Sequence, residues 1–166
     1  RAIRQAGLSF RLEASAEYNL DTYTAELFAK GDILPMPGKR LLVELSFFGA
    51  PPDLENRIFQ LRLQGYFPIL AHPERYSYYI GNLGALERIS DLGCDLQVNI
   101  LSLTGHYGPQ VAKWAKTLLD KDMVSYLGTD MHNIRHLHEL QAALRQKDIL
   151  RILQRHTFKN QDLLNL

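Results

Sequence analysis

A single cysteine among 166 residues, Cys94, leaves the chain no internal disulfide and suits a reducing compartment. It also excludes a cysteine-based phosphate loop, because the sixth residue after it is Ile100 and not the arginine such a loop requires. Beside Gly93 at a predicted helix end, Cys94 reads as a small packing residue. Long apolar runs are lacking too. Those such as Leu41 to Val43 and Ile69 to Ala71 stop at Glu44 and His72, far short of the ~20 residues a membrane helix needs. Charge of one sign is also missing: the net value of +1 gives no basis for nucleic acid or an anionic membrane as the main partner. No signal segment opens the chain, which starts at Arg1 and not at methionine. With 46% hydrophobic and 22% charged residues, the expectation is one globular domain over residues 1–166, located in the cytoplasm.

What is present is an alternation of strand and helix patterns. Residues 1–7 read as a helix end closed by Gly7, and residues 8–17 alternate with a period of two, placing Glu17 near a strand end. A short helix is expected around residues 24–30, then a strand over 40–46 carrying Glu44. Asp53, after Pro51-Pro52, is a candidate N-cap for a helix bearing Leu54, Ile58 and Leu61 and closed by Gly65. The strand over 66–72 ends in His72-Pro73-Glu74-Arg75-Tyr76, with Pro73 biasing His72 toward an extended backbone. A helix through Leu83, Leu86 and Ile89 follows, then a strand over 95–100 with Gln97 and Asn99 on one face. Pro109 opens a helix whose buried side holds Val111, Trp114, Ala115 and Leu118. A strand over 123–127 has the polar tip Gly128-Thr129-Asp130-Met131-His132, and residues 134–154 are helical in pattern. Strand followed by helix, repeated, argues for a parallel sheet with crossover helices.

One polar residue stands near the end of each strand: Glu17, Glu44, His72, Asn99 and Asp130, at separations of 27, 28, 27 and 31 residues. That is about the size of one strand-helix unit in a barrel of ~250 residues and eight units. Parallel strands would bring all five side chains, with His132, to one mouth. Carboxylates gathered there repel one another unless a cation neutralises them. Imidazole and carboxylate without thiolate suit manganese, iron or zinc.

Ala16-Glu17-Tyr18, Val43-Glu44-Leu45-Ser46, Ala71-His72-Pro73-Glu74-Arg75-Tyr76 and Gly128-Thr129-Asp130-Met131-His132-Asn133 together resemble the PHP (polymerase and histidinol phosphatase) superfamily. More narrowly, they are similar to the bacterial manganese-dependent tyrosine phosphatases of capsule and exopolysaccharide operons. The resemblance implies a distorted TIM-like (β/α)7 barrel with up to three Mn2+ ions, or Fe or Zn in their place. Glu17, Glu44, His72, Asp130 and His132 would be metal ligands and Arg75 the catalytic, phosphate-holding arginine. Asn99, His106 and Arg135 are further candidates for contact with substrate. The implied partner is the tyrosine kinase that controls polysaccharide export, dephosphorylated on its tyrosine-rich tail; oligomeric state stays open, a homo-oligomer included.

The family's opening His-x-His strand, and the aspartate and histidine after it, have no counterpart before Glu17. About five strand-helix units are counted, so the expectation is the C-terminal part of a longer chain, with an exposed parallel edge. His136-Leu137-His138 lies in a helical pattern where i and i+2 do not face each other, so both histidines, like His156, read as surface residues. Tyr76, Tyr78, Tyr79 and Tyr107 either border a cleft for a phosphotyrosine ring or pack locally. The predicted chemistry is metal-assisted hydrolysis of a phosphomonoester. Its rivals are a histidinol-phosphate-type phosphatase, a polymerase-linked nuclease, and an inactive fragment serving as a binding or scaffold module.

Overall fold

The computed structural model describes residues 14–164, together with Gln5 and Gly7. The remainder of the helix end read over residues 1–7, and the strand pattern over 8–13, lie outside the described residues. Among the described residues five parallel strands form one sheet: β1 Glu17–Asn19, β2 Arg40–Glu44, β3 Phe67–Ala71, β4 Asp95–Asn99 and β5 Val124–Gly128. They lie side by side in chain order. A strand order that never doubles back is that of a barrel wall, whereas a doubly wound sheet reverses at a switch point. Six helices with full bounds among the described residues accompany them: α1 Thr22–Lys30, α2 Leu54–Leu63, α3 Leu83–Asp91, α4 Pro109–Asp120, α5 Ile134–Ala143 and α6 Lys147–Arg155.

Register divides the sheet into two chemically different faces. Tyr18, Leu41, Val43, Leu70, Leu96 and Val98 belong to the core, which Ile58, Leu86, Trp114, Ala115 and Leu118 of the helices complete. The opposite face carries Glu17 paired with Leu42, Asn19 with Glu44, and Gln97 and Asn99 beside Tyr126 and Gly128. Gly128 lets the Gln97 side-chain amide approach closely, since a Cβ there would overlap it and force that side chain to move. β3 is apolar on both faces, as expected of a central parallel strand. Among the described residues β1 and β5 are the sheet's edges. At β5 the edge is capped at one residue: the Asn160 amide donates to the Leu127 carbonyl at 2.9 Å and accepts from its N–H at 3.0 Å.

Several local expectations need correction. β1 begins at Glu17 instead of ending there; the Ala16 N–H just before it is committed to the Leu34 carbonyl at 3.1 Å. Asp53 makes no capping bond, because its carboxylate accepts from Arg57 Nε at 2.8 Å one turn further on. His72 is not extended: φ is 37° and ψ 52°, since its carbonyl closes a tight turn onto the Arg75 N–H at 2.9 Å, which overrides the preference set by Pro73. The helical stretch over 134–154 is two helices, divided where Gln146 takes an extended backbone.

Asp21 caps α1 in a reciprocal box, accepting from the Thr24 N–H at 2.9 Å while its own N–H donates to Thr24 Oγ1 at 3.1 Å. The Thr24 backbone and side-chain hydrogen bonds hold the Asp21 carboxyl below its ordinary 3.8. Asp21→Ala is expected to cost about 1 kcal/mol at neutral pH, or about 2–4 °C in melting temperature for a chain of this size. Because the folded-state value is depressed, this contribution is present above pH 3.8 and lost as pH falls through the folded value. Thermal melts of the two proteins should therefore converge on acidification.

Candidate metal and phosphate site

Most of the polar groups lie at the C-terminal ends of the strands or just past them, while Glu17 opens β1. Glu17 and Glu44, on the exposed sheet face, meet His72 from the turn after β3. One ligand atom from each of the three lies within 4.8 Å of the others. His72 Nε2 stands 3.6 Å from a Glu17 oxygen and 3.8 Å from a Glu44 oxygen, at the edge of direct contact with both. His72 is buried, and its Nδ1 has no partner among the described residues. Burial, and next the negative charge of Glu17, push the Glu44 carboxyl above its usual range. Among the described residues, two carboxylates and an imidazole thus converge without a neutralising group of hydrogen-bond quality, and this donor set fits a divalent cation of the manganese, iron or zinc kind.

Asp130 lies beside this group, after β5. It accepts from the Arg75 guanidinium and, at 3.3 Å, from the Asn99 side-chain amide. Asn99 is fully buried. The Asn99 N–H is in turn fixed at 3.0 Å by the buried Glu74 carboxyl, which also accepts from Ser102 Oγ at 2.6 Å. Burial raises the Glu74 carboxyl above its ordinary value, with the Ser102 and Asn99 hydrogen bonds opposing. Both His72 and Asp130 have left-handed backbones, with φ of 37° and 47°. Each such non-glycine residue costs on the order of 1 kcal/mol and persists only where its surroundings dictate it.

His132 is largely exposed, its Nδ1 3.2 Å from an Asp130 carboxylate oxygen. The structure does not bring Arg135 into the cluster: its side chain is 80% exposed and pairs with Glu139 at 2.8 Å. His106 pairs with the same glutamate and sets its ring edge-on to His136, with centroids 5.3 Å apart. His136 is therefore half-buried against the mouth instead of standing free on the surface. Its Nδ1 lies 3.3 Å from the Asp130 carbonyl, while His138 is exposed. Two residues apart on α5, one ring turns to the mouth and the other to solvent. His156, also read as a surface residue, is mostly covered and faces Asp122 at 3.5 Å.

The tyrosines divide between the two readings. Tyr76 and Tyr79 are buried. Tyr76 Oη accepts from the Leu45 N–H at 2.9 Å, and Tyr78 Oη donates to the Ser46 carbonyl at 2.8 Å. These three pack locally and fix the loop that follows β2. That loop supplies a group the sequence reading missed: Phe47 stacks parallel to the His72 ring, with centroids 5.9 Å apart. Two consecutive phenylalanines directly past a strand tip were the available signal. Cys94 is buried, and burial pushes its thiol up to about 12, in keeping with a packing role. No helix among the described residues is long and apolar enough to cross a membrane.

Residues 1–157 match the family described as capsular polysaccharide synthesis, CpsB/CapC. The chain is 30% identical over 106 residues to the tyrosine-protein phosphatase YwqE of Bacillus subtilis, spanning 63% of this chain and 42% of that protein. It is 28% identical over 127 residues to the tyrosine-protein phosphatase CpsB of Streptococcus pneumoniae, spanning 73% of this chain and 51% of that one. The chain thus spans about half the length of these curated relatives. Among solved structures, it superposes on a chain from the crystal structures of YwqE and CpsB, described as unique metal-dependent tyrosine phosphatases. The TM-score is 0.76 at 22% identity, covering 95% of this chain and 70% of that one. At that identity the likeness establishes the fold, an α/β arrangement with a parallel sheet.

Proposed function

The chain belongs to the CpsB/CapC family of capsular polysaccharide synthesis, and from that premise we propose that it is a metal-dependent protein-tyrosine phosphatase. Residues 1–166 form one PHP-type domain in this reading, acting in the cytoplasm on the tyrosine kinase that governs polysaccharide export. The observation that carries the proposal is the convergence of Glu17, Glu44 and His72 within 4.8 Å, next to an arginine positioned by Asp130. The relatives, tyrosine-protein phosphatases by name, supply the substrate class.

Glu17, Glu44 and His72 would hold one divalent cation, manganese by resemblance, and Asp130 with His132 would serve a neighbouring one. A cation there supplies Lewis acidity toward the phosphoryl oxygens and the attacking water. The remaining work falls to the chain itself. Arg75 presents a planar fork of N–H donors to the phosphate and offsets charge that grows on its equatorial oxygens. Asn99 restrains the Asp130 carboxylate at 3.3 Å, so that Asp130 keeps one orientation whether or not phosphate draws Arg75 away. Buried Glu74 keeps the β4 tip in place against the turn after β3.

The test is phosphate release from a phosphotyrosyl peptide, with Mn2+ and after chelation, alongside metal content. Turnover with Mn2+, its loss on chelation, and loss of both metal and turnover in Glu44→Ala and His72→Ala are the expected results. Metal content and turnover unchanged in those variants would sink the assignment through this site. Faster turnover of histidinol phosphate than of the peptide would replace the substrate class.

A further inference from the structure

The geometry points to Phe47 and Tyr107 as the pair that selects an aryl phosphomonoester over an alkyl one at Arg75. The two residues come from the loops after β2 and β4, the strands on either side of β3, whose own loop carries Arg75. The Arg75 guanidinium carbon lies 5.1 Å from the Phe47 ring centroid and 4.3 Å from that of Tyr107, over the face of each ring. With its carbon over ring faces, the guanidinium holds Asp130 through Nη1 and has further N–H donors that an anion can take. A phosphate held on those donors would place its ester group alongside the aromatic rings.

Phe47 is 47% exposed and Phe48 beside it fully exposed. Two adjacent exposed rings form an apolar patch at the site mouth that a substrate ring could cover. Phe47 is held in position, since Tyr76 and Tyr78 bind the loop backbone at Leu45 and Ser46. Pre-positioned rings lose little freedom on binding, so contact with a substrate ring is gained nearly in full. The Tyr107 hydroxyl is buried without a partner among the described residues, which leaves the ring as that side chain's contribution at the mouth. A seryl or small alkyl phosphate offers nothing to either ring. Two aromatic contacts correspond to about a tenfold preference.

This inference rests on the reading of Arg75 as the phosphate ligand, and the experiment separates the two. The ratio of kcat/KM for a phosphotyrosyl peptide to that for the phosphoseryl peptide of the same sequence is measured in the Mn2+-loaded chain and in Phe47→Leu, Tyr107→Leu, their double variant and Phe47→Tyr, with thermal melts confirming folding. The ratio is expected to fall about threefold in each leucine variant, about tenfold in the Phe47→Leu/Tyr107→Leu double variant, and to be retained in Phe47→Tyr. An unchanged ratio in both leucine variants overturns the inference. Should the parent chain hydrolyse neither peptide, the proposed function fails. Calorimetric binding of free phosphotyrosine against inorganic phosphate then decides the inference by itself: tighter binding of phosphotyrosine, lost in Phe47→Leu, upholds it, and equal binding overturns it.

Discussion

Truncation of Arg75 to alanine is expected to lower kcat/KM toward a phosphotyrosyl peptide by roughly a thousandfold. The loss has two parts. The guanidinium fork that would meet the transferring phosphate disappears, and Asp130 loses its cationic partner, keeping the Asn99 amide at 3.3 Å and the His132 imidazole at 3.2 Å. Arg75→Lys separates them, because an ammonium preserves the positive charge beside Asp130 but not the planar, two-point geometry. Activity of Arg75→Lys close to that of Arg75→Ala would mean that the fork matters most. Recovery to near the parent value would mean that charge suffices. Equal kcat/KM in all three proteins, measured with Mn2+ present, would remove Arg75 from the reaction.

The second large effect concerns the scaffold and is independent of any metal. Glu74→Ala is expected to destabilise the chain by about 2–4 kcal/mol, seen as a fall of roughly 5–15 °C in melting temperature. Glu74 is fully buried, and its Oε1 is the acceptor for both the Asn99 N–H and Ser102 Oγ. Removing it strands two buried donors and opens a hole under the β4 tip. Glu74→Gln retains an acceptor in the same place and eliminates the carboxyl that burial holds above its ordinary value, so its loss should stay within about 1 kcal/mol. A melting temperature for Glu74→Ala within a degree of the parent would show that the two donors find other partners.

The contrast between Glu74 and Phe47 shows what the sequence could and could not reveal. Parallel strand-helix units repeat at nearly constant length, so Glu44, His72, Asn99 and Asp130 could be assigned to one rim by counting, and the structure places them at strand ends. Gln97 and Asn99 were read as sharing a face, as the β4–β5 register requires. What counting misses is any property fixed by contact between distant loops. Phe47 becomes part of the site through His72 and Arg75, which lie in another unit. Likewise, the i, i+2 argument correctly put His136 and His138 on different faces of α5, but not which face packs toward Asp130 and His106. The division of α5 from α6 has no glycine or proline to announce it. At His72, local preference pointed one way and the closing of the turn onto Arg75 decided the other.

The left-handed backbones at positions 72 and 130 set thermostability against chemistry. Glycine is the residue that relaxes such a conformation most fully, and at both positions it would also delete a side chain of the polar cluster. A library screened only for resistance to heat is therefore drawn toward losing these two groups, and a gain in melting temperature from a change at either position would be a warning and not an improvement.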